Sequence, residues 1–391
     1  MADKIDTPAF VIDEKTLRSD LAILRKIADQ ASCKLLYSPK ACSLSAVLRR
    51  VAPRVDGFAC SSPFELRLID RLLGGSRSPH LPRSLHLTSP LIKREALEAF
   101  GGRLDYLTFN SLSQWRRLRG EVSTETRVGL RVNPQMSFIR DPRYDPCRRN
   151  SKLGVPISRL ADLIESGPAG LRGITGLHFH TNCEGTDFAS LLATARHIRD
   201  VIPTLLERID WINLGGGYLF DLASDYADFC EAVAIFRETF GLEVFIEPGA
   251  AAVQRCGTIE ATVHDIFDGD DIQIAVLDTT VNHMPEVFEY QFEPDVLGHV
   301  DGGLHAYILA GCTCLAGDVF GQYSFDRALT TGSKITFLNM GAYTMSKAHR
   351  FNGVGLPTIY VRRLDGSLDE VRTDSFEEFA QNAGVTDVAI A

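Results

Sequence analysis

The chain contains no apolar run near the ~18 residues needed to cross a bilayer, so no membrane span is expected. Positive charge is also short: 41 Lys and Arg stand against 50 Asp and Glu, a formal net charge of −9. Nucleic-acid binders present a basic stripe, and the acidic balance argues against that class. No Walker loop and no spaced dinucleotide fingerprint occurs anywhere. The nine cysteines are an odd number, scattered without paired spacing. The opening Met1-Ala2-Asp3-Lys4-Ile5-Asp6 lacks the apolar core of a signal peptide. Together these absences predict a reduced, cytoplasmic chain with no disulfide framework.

What is present is enough to build a core without staples: 391 residues, 45% hydrophobic and 23% charged. Short apolar runs recur, each ending in a polar residue or glycine. Examples are Lys34 to Lys40, Leu85 to Ser89, Tyr106 to Ser111, Val128 to Asn133, Gly176 to His180, Trp211 to Gly215 and Val244 to Gly249. Amphipathic stretches such as Ala189 to Ile202 and Tyr226 to Phe240 lie between them. Strand alternating with helix predicts an α/β fold with a parallel sheet, and the number of units fits a (β/α)8 TIM-type barrel. The barrel is expected over residues 26–252. Beyond it, short strands separated by Gly and Asp turns predict a C-terminal, mostly-β domain over 253–391. Residues 1–25 join that domain through the strand Ala9 to Asp13.

In a parallel barrel the carboxyl ends of the strands share one face, where active sites sit. Lys40, Arg131, His180, Gly215 to Gly217 and Glu247 all fall at such ends. Each has a plain reading alone: a lysine is a solvated charge, and a glycine triplet is a turn. His178 and His180 project to one side of a strand, as an interior pair or a metal pair, but third and fourth ligands are not evident. Cys312 and Cys314 lack a second pair to complete a metal site, so no metal is expected. Taken together the set is more specific. A lysine amine condenses with an aldehyde, glycine-rich backbone offers N–H groups to a phosphate, and a carboxylate keeps a pyridine nitrogen protonated. A histidine can stack on an aromatic ring. These are the requirements of pyridoxal phosphate.

The order of motifs resembles the fold-type III pyridoxal-phosphate decarboxylases, the alanine racemase and ornithine decarboxylase group. The likeness extends from Thr7-Pro8 to Leu356-Pro357. The stretches that carry it include Asn133-Pro134, Ser151-Lys152-Leu153-Gly154, His178-Phe179-His180, Asn213-Leu214-Gly215-Gly216-Gly217 and Glu247-Pro248-Gly249. His283-Met284-Pro285, Cys312 to Asp318, Tyr343-Thr344-Met345 and Phe351-Asn352-Gly353 continue it. Within the group the pattern is similar to the carboxynorspermidine and carboxyspermidine decarboxylases.

The resemblance implies a barrel, a β domain and a head-to-tail homodimer whose active sites are shared. It implies that Lys40 holds the cofactor, His180 stacks on its ring, Glu247 faces its nitrogen and Arg131 lies nearby. Gly215, Gly216, Gly217, Gly249, Ala250 and Tyr343 match the phosphate ligands. Cys314 matches the cysteine that reaches in from the other subunit to protonate the substrate carbon. Lys152 and Asp318 match a pair across the dimer interface. Asp278, His283 and Glu286 fall where substrate amines are recognised, with strand-end polarity as the plain alternative.

Two departures bear on the substrate, a small amino acid or polyamine. Leu315 stands where ornithine decarboxylases carry an aspartate, which argues against ornithine and lysine. Ala250 stands where carboxynorspermidine enzymes tend to carry a second glutamate, so a relative with different charge at its far end is admitted. The expected activity is loss of the α-carboxylate from carboxynorspermidine, carboxyspermidine or a related substrate bearing an amino-carboxypropyl group. The alternatives are a diaminopimelate-, ornithine- or lysine-type decarboxylase and a specialised decarboxylase of secondary metabolism. Racemases of this fold present arginine to the ring nitrogen, small cofactor-carrier barrels lack a β domain, and inactive relatives have lost the lysine; Glu247, the chain length and Lys40 argue against each in turn.

Overall fold

A computed structural model describes residues 5–72, 84–100 and 102–385, which form two compact units. One covers residues 20–252; the other joins the chain up to Ser19 to the chain from Val253 onward. The divide falls inside the helix Glu14–Ala31, slightly ahead of the 25/26 boundary expected from sequence. Among the described residues no helix is long and apolar enough to cross a membrane.

Strand β1 (Ala9–Asp13) belongs to the second unit. The first unit is a ring of parallel strands: β2 (Lys34–Tyr37), β3 (Gly57–Cys60), β4 (Ser84–Ser89), β5 (Tyr106–Phe109) and β6 (Arg127–Asn133). After a two-residue strand β7 (Val155–Pro156) come β8 (Gly176–His178), β9 (Trp211–Asn213) and β10 (Glu243–Ile246). They pair in the order β5-β4-β3-β2-β10-β9-β8-β6, and β6 pairs back to β5, so the sheet closes. The eight-stranded barrel read from the strand–helix alternation is therefore present. Its helices follow from local sequence. In Glu14–Ala31 the buried Leu17, Leu21, Leu24 and Ala28 recur every three or four residues and make one apolar stripe. Ser111 caps the helix Leu112–Leu118 by accepting the Gln114 N–H, and Gly241 ends Ala227–Phe240 in the left-handed conformation, φ 71°.

The barrel interior is filled by aromatic side chains rather than left as a pore. Trp211, Phe245, Tyr106, Leu36 and Ala59 pack together, and Tyr106 meets Trp211 edge to face with ring centroids 5.2 Å apart. Trp211 fits only because β6 and β8 carry glycine beside it: a Cβ on Gly129 would lie 2.5 Å from the indole, and one on Gly176 would overlap it. At the amino ends of the strands, the Tyr106 hydroxyl donates to Glu243 at 2.8 Å and Arg127 donates to the same carboxylate at 3.0 Å. This polar clasp lies at the mouth away from the strand ends that carry the candidate residues.

The second unit is built on the long strand β11 (Gly257–Asp268), with β12 (Gln273–Leu277), β13 (His305–Ala310), β14 (Val319–Phe325), β15 (Lys334–Phe337), β16 (Thr358–Arg362) and β17 (Leu368–Arg372). The order is β14-β13-β12-β11-β1-β16-β17, and β15 also pairs with β11. Strand β1 lies antiparallel to β11 and parallel to β16, so the amino-terminal strand is an interior member of this sheet.

Replacing Gly176 with alanine tests the packing of Trp211. The added methyl has no free volume, and overpacking of this kind costs about 1–3 kcal/mol. Urea denaturation of Gly176→Ala should show a lower midpoint with an unchanged slope; an unchanged midpoint would mean that the indole moves aside freely.

Candidate active site

The carboxyl ends of the barrel strands surround a cavity of about 460 Å³. Lys40 lines it from the turn after β2. That turn is tied to the end of β10: Ser38 directs its N–H to the Pro248 carbonyl and its hydroxyl to the Glu247 carbonyl, each at 3.4 Å. The Lys40 ammonium has no hydrogen bond or ion pair among the described residues. Arg131, half-buried on β6, also lacks one; burial pushes its guanidinium down, while Glu247 and Cys147 oppose this. Five Lys and Arg line the cavity (Lys40, Arg131, Arg143, Arg148, Lys152) against two acids, Asp145 and Glu247. The space favours an anion.

Glu247 follows β10 and is only 8% exposed. Its Oε1 accepts a hydrogen bond from Asn213 Nδ2 at 2.7 Å, and its Oε2 lies 3.5 Å from His178 Nε2. Burial pushes the carboxyl up, but His178, then Lys40 and His180, outweigh it and hold the group well below the usual carboxylate range. It is ionised at neutral pH. His178 is 2% exposed and its Nδ1 has no hydrogen-bond partner among the described residues, so of the pair expected to be interior His178 is buried but unsatisfied, while His180 is half-buried. Burial drives its imidazole, and that of His180, below the ordinary value. His180 Nδ1 accepts the Gly216 N–H at 3.0 Å. The neutral ring therefore carries its proton on Nε2, and its orientation is fixed.

The glycine triplet forms a loop that side chains could not enter. Gly215 and Gly217 have φ of 73° and 95°, and a Cβ on either would strike backbone of the 179–183 turn. A Cβ on Gly216 would strike the Glu247 carbonyl. The Gly215 N–H is held by Asn213 Oδ1 at 2.9 Å, whereas those of Gly217 and Gly249 have no acceptor among the described residues. A free amine, unmatched cations, open backbone N–H groups, a fixed neutral imidazole and an ionised buried acid are what an aromatic aldehyde phosphate requires. The residues fit pyridoxal phosphate.

The cavity thus gathers Lys40, Arg131, Lys152, His180 and Glu247; the triplet Gly215 to Gly217 is joined to it through Asn213 and His180, and Gly249 and Ala250 follow Glu247 directly. The other predicted residues belong to the second unit. Tyr343 sits in a left-handed turn, φ 56°. Cys314 is exposed, and its N–H is held by Asn352 Oδ1 at 2.9 Å. Asp318 is 3% exposed and accepts from Val281 N at 2.8 Å, Thr313 N at 3.0 Å and the Thr313 hydroxyl at 2.5 Å. Asp278 accepts from Thr262 N at 2.8 Å and the Thr7 hydroxyl at 2.6 Å. His283 is fully buried against the Thr279 hydroxyl, and burial pushes it down to about 4. Glu286 pairs with Lys347 at 3.0 Å.

Sequence reasoning assigned no role to Asn213, although its position two residues ahead of the glycine triplet was a signal. Glu65 was also missed. Its carboxylate accepts the Ser61 N–H at 2.6 Å; burial raises it, while that bond and the charge of Lys40 act against the rise. The loop after β6 supplies Arg143, Tyr144, Asp145 and Arg148, and Asn110 clamps its far end through Lys152 O at 2.8 Å and Gly154 N at 3.0 Å. Nothing in the periodicity pointed to that clamp.

Buried neutral histidines set a pH dependence. His86 on β4 is 2% exposed, and burial pushes it down to about 3. Its folded value lies below its unfolded value near 6.5, so the unfolded chain binds the extra proton and stability falls as pH drops below about 6.5. His86→Gln should flatten that fall by about 1.4 kcal/mol per pH unit between pH 6 and 4. Denaturant midpoints of both proteins over that range measure it; parallel curves would show that His86 is protonated in the folded state.

Residues 17–254 match the family described as pyridoxal-dependent decarboxylase, pyridoxal binding domain. The chain is 32% identical to a carboxyaminopropylagmatine decarboxylase of Synechocystis, over 97% of this chain and 96% of that one. It is 32% identical to a carboxynorspermidine/carboxyspermidine decarboxylase of Herminiimonas arsenicoxydans, over 97% and 99%. Its fold superimposes on the crystal structure of carboxynorspermidine decarboxylase complexed with norspermidine from Campylobacter jejuni. There the TM-score is 0.84 at 27% identity, covering 97% of this chain and all of that one.

Proposed function

Because the chain belongs to the pyridoxal-dependent decarboxylase family, we propose that it removes the α-carboxylate of carboxynorspermidine, carboxyspermidine or a relative with the same amino-carboxypropyl group, such as carboxyaminopropylagmatine. The observation that carries this reading is the cavity: an unpartnered Lys40 and Arg131 share it with a buried, ionised Glu247. Relatives matching nearly the full length, and named for carboxylated polyamine or agmatine substrates, supply the class.

Pyridoxal phosphate, when bound, supplies an acceptor for the electron pair left on the α-carbon as CO2 departs. The chain's residues do the rest. Lys40 Nζ would hold the aldehyde. Glu247 would keep a proton on the ring nitrogen, since a carboxylate this acidic leaves the proton with the base it faces. His180, its tautomer set by Gly216, and Arg131 would hold the ring. Gly215, Gly216, Gly217, Gly249, Ala250 and Tyr343 would hold the phosphate. Cys314 of the second subunit in a homodimer returns a proton from Sγ to the α-carbon, and Lys152 and Asp318 belong to the interface. Asp278, His283 and Glu286 form the candidate set for substrate amines. Of these, Glu286 already has Lys347 at 3.0 Å, so a substrate cation there competes with that ammonium. The cytoplasmic location is part of the same proposal. A racemase is disfavoured because a carboxylate, not a guanidinium, is seated between Asn213 and His178.

CO2 release measured with carboxynorspermidine, carboxyspermidine, carboxyaminopropylagmatine, ornithine, lysine and meso-diaminopimelate tests the substrate class. The first three should dominate in kcat/KM; preference for ornithine or diaminopimelate would overturn it. Lys40→Ala should lose both the visible absorbance of the bound cofactor and CO2 release, and retained turnover would remove Lys40 from its role.

Glu247→Gln should lower kcat by on the order of a hundredfold or more while KM stays within a few fold, because the carboxylate acts on the electron acceptor rather than on substrate binding. A rise in KM at unchanged kcat would contradict this.

A further inference from the structure

Asn213 is the last residue of β9 and is 1% exposed. In register it lies between His178 of β8 and Phe245 of β10, the strands that lead to His180 and Glu247. Its side chain makes two hydrogen bonds in opposite senses. Nδ2 donates to Glu247 Oε1 at 2.7 Å, and Oδ1 accepts from the Gly215 N–H at 2.9 Å. Both ends are determined by their partners: an ionised carboxylate only accepts and a backbone N–H only donates, so the amide has one orientation. Further bonds close the ring around it. Glu247 N donates to Gly215 O at 2.8 Å, and Gly216 N donates to His180 Nδ1 at 3.0 Å.

We propose that Asn213 is a positioning residue whose one amide sets Glu247 and the Gly215 loop together, so that the two ends of the cofactor site are organised as one unit. This rests on the reading that Glu247 serves the ring nitrogen and Gly215 to Gly217 serve the phosphate. No other side chain of this size does both. Aspartate has no N–H for Glu247 and would set two carboxylates at hydrogen-bond distance. Leucine would leave a buried carboxylate oxygen and a buried N–H unsatisfied, which is costly. Asn213 touches no reacting atom, so its effect appears first in cofactor binding and only through that in turnover.

The test is reconstitution of the full chain with pyridoxal phosphate, followed by visible absorbance, for the wild type, Asn213→Asp, Glu247→Gln and the double variant Asn213→Asp/Glu247→Gln. The double variant restores one donor and one acceptor: the amide introduced at position 247 donates to the carboxylate introduced at position 213, which also accepts the Gly215 N–H. Asn213→Asp should bind the cofactor on the order of tenfold to a hundredfold more weakly, as expected when a buried bond to a charged group becomes a repulsion. The double variant should return to within about threefold of the wild type in affinity while its CO2 release stays as low as in Glu247→Gln alone. Wild-type affinity in Asn213→Asp, or a double variant no tighter than Asn213→Asp, overturns the proposal. If Asn213→Asp does not fold, the double variant decides alone: recovery of folding and affinity supports the coupling, and failure of both overturns it. A wild type that takes up no pyridoxal phosphate refutes the earlier reading of the site instead.

Discussion

The candidate site is organised around one buried charge. A carboxylate at 8% exposure is stable only where hydrogen bonds and nearby cations replace its lost water. Glu247 has both: the Asn213 amide on one oxygen, His178 near the other, and the charge of Lys40 within reach. None of these groups is near the others in sequence. They meet because eight parallel strands close into a ring, which brings the ends of β2, β8, β9 and β10 to one mouth. The large core of the barrel has a direct function here. Trp211, wedged against Gly129 and Gly176, and the Tyr106–Glu243–Arg127 clasp at the other mouth hold the strand register that makes those meetings possible.

The barrel was legible because its signals are local. Apolar runs ending in Lys40, Asn133, His180 and the glycine triplet mark strand ends, and parallel strands put like ends together. A residue whose value lies in a cross-strand pair is different. Asn213 reads as a strand-end polar residue until β10 lies beside it, and only then does its amide meet Glu247. His178 was readable as interior from its spacing to His180, but the absence of a partner on Nδ1 depends on what neighbouring strands present. The clamp by Asn110 is of the same kind, since it joins positions 42 and 44 residues apart.

In the second unit the sequence located loops better than it described their side chains. Cys312 to Asp318 was singled out as a motif, and its internal bracing became visible only in three dimensions. Asp318 binds two N–H groups and a hydroxyl, Gly311 has no room for a Cβ beside that carboxylate, and Asn352 in the left-handed region holds the Cys314 N–H. An exposed thiol on so constrained a backbone is presented in one place, which is compatible with the proton-donor role proposed for Cys314. The thiol of Cys312, two residues away, is pushed up by burial and by Asp318.

Acidic residues assigned by analogy need their charges counted before they are given to a substrate. Asp278 engages both oxygens within its own sheet, and Glu286 shares Lys347 with Glu289, which lies 2.6 Å from the same ammonium. Two carboxylates around one cation leave a net negative charge, so the cluster can still favour a positive group, but less strongly than two free acids. Alanine at position 250, where related enzymes tend to carry a glutamate, works in the same direction. Under the proposed substrate class, both features would lower the negative charge offered to the tail. The discrimination then falls on shape and hydrogen bonding at the far end of the substrate rather than on the number of its ammonium groups. That is the property by which a guanidinium-ended substrate differs from an amine-ended one of equal charge.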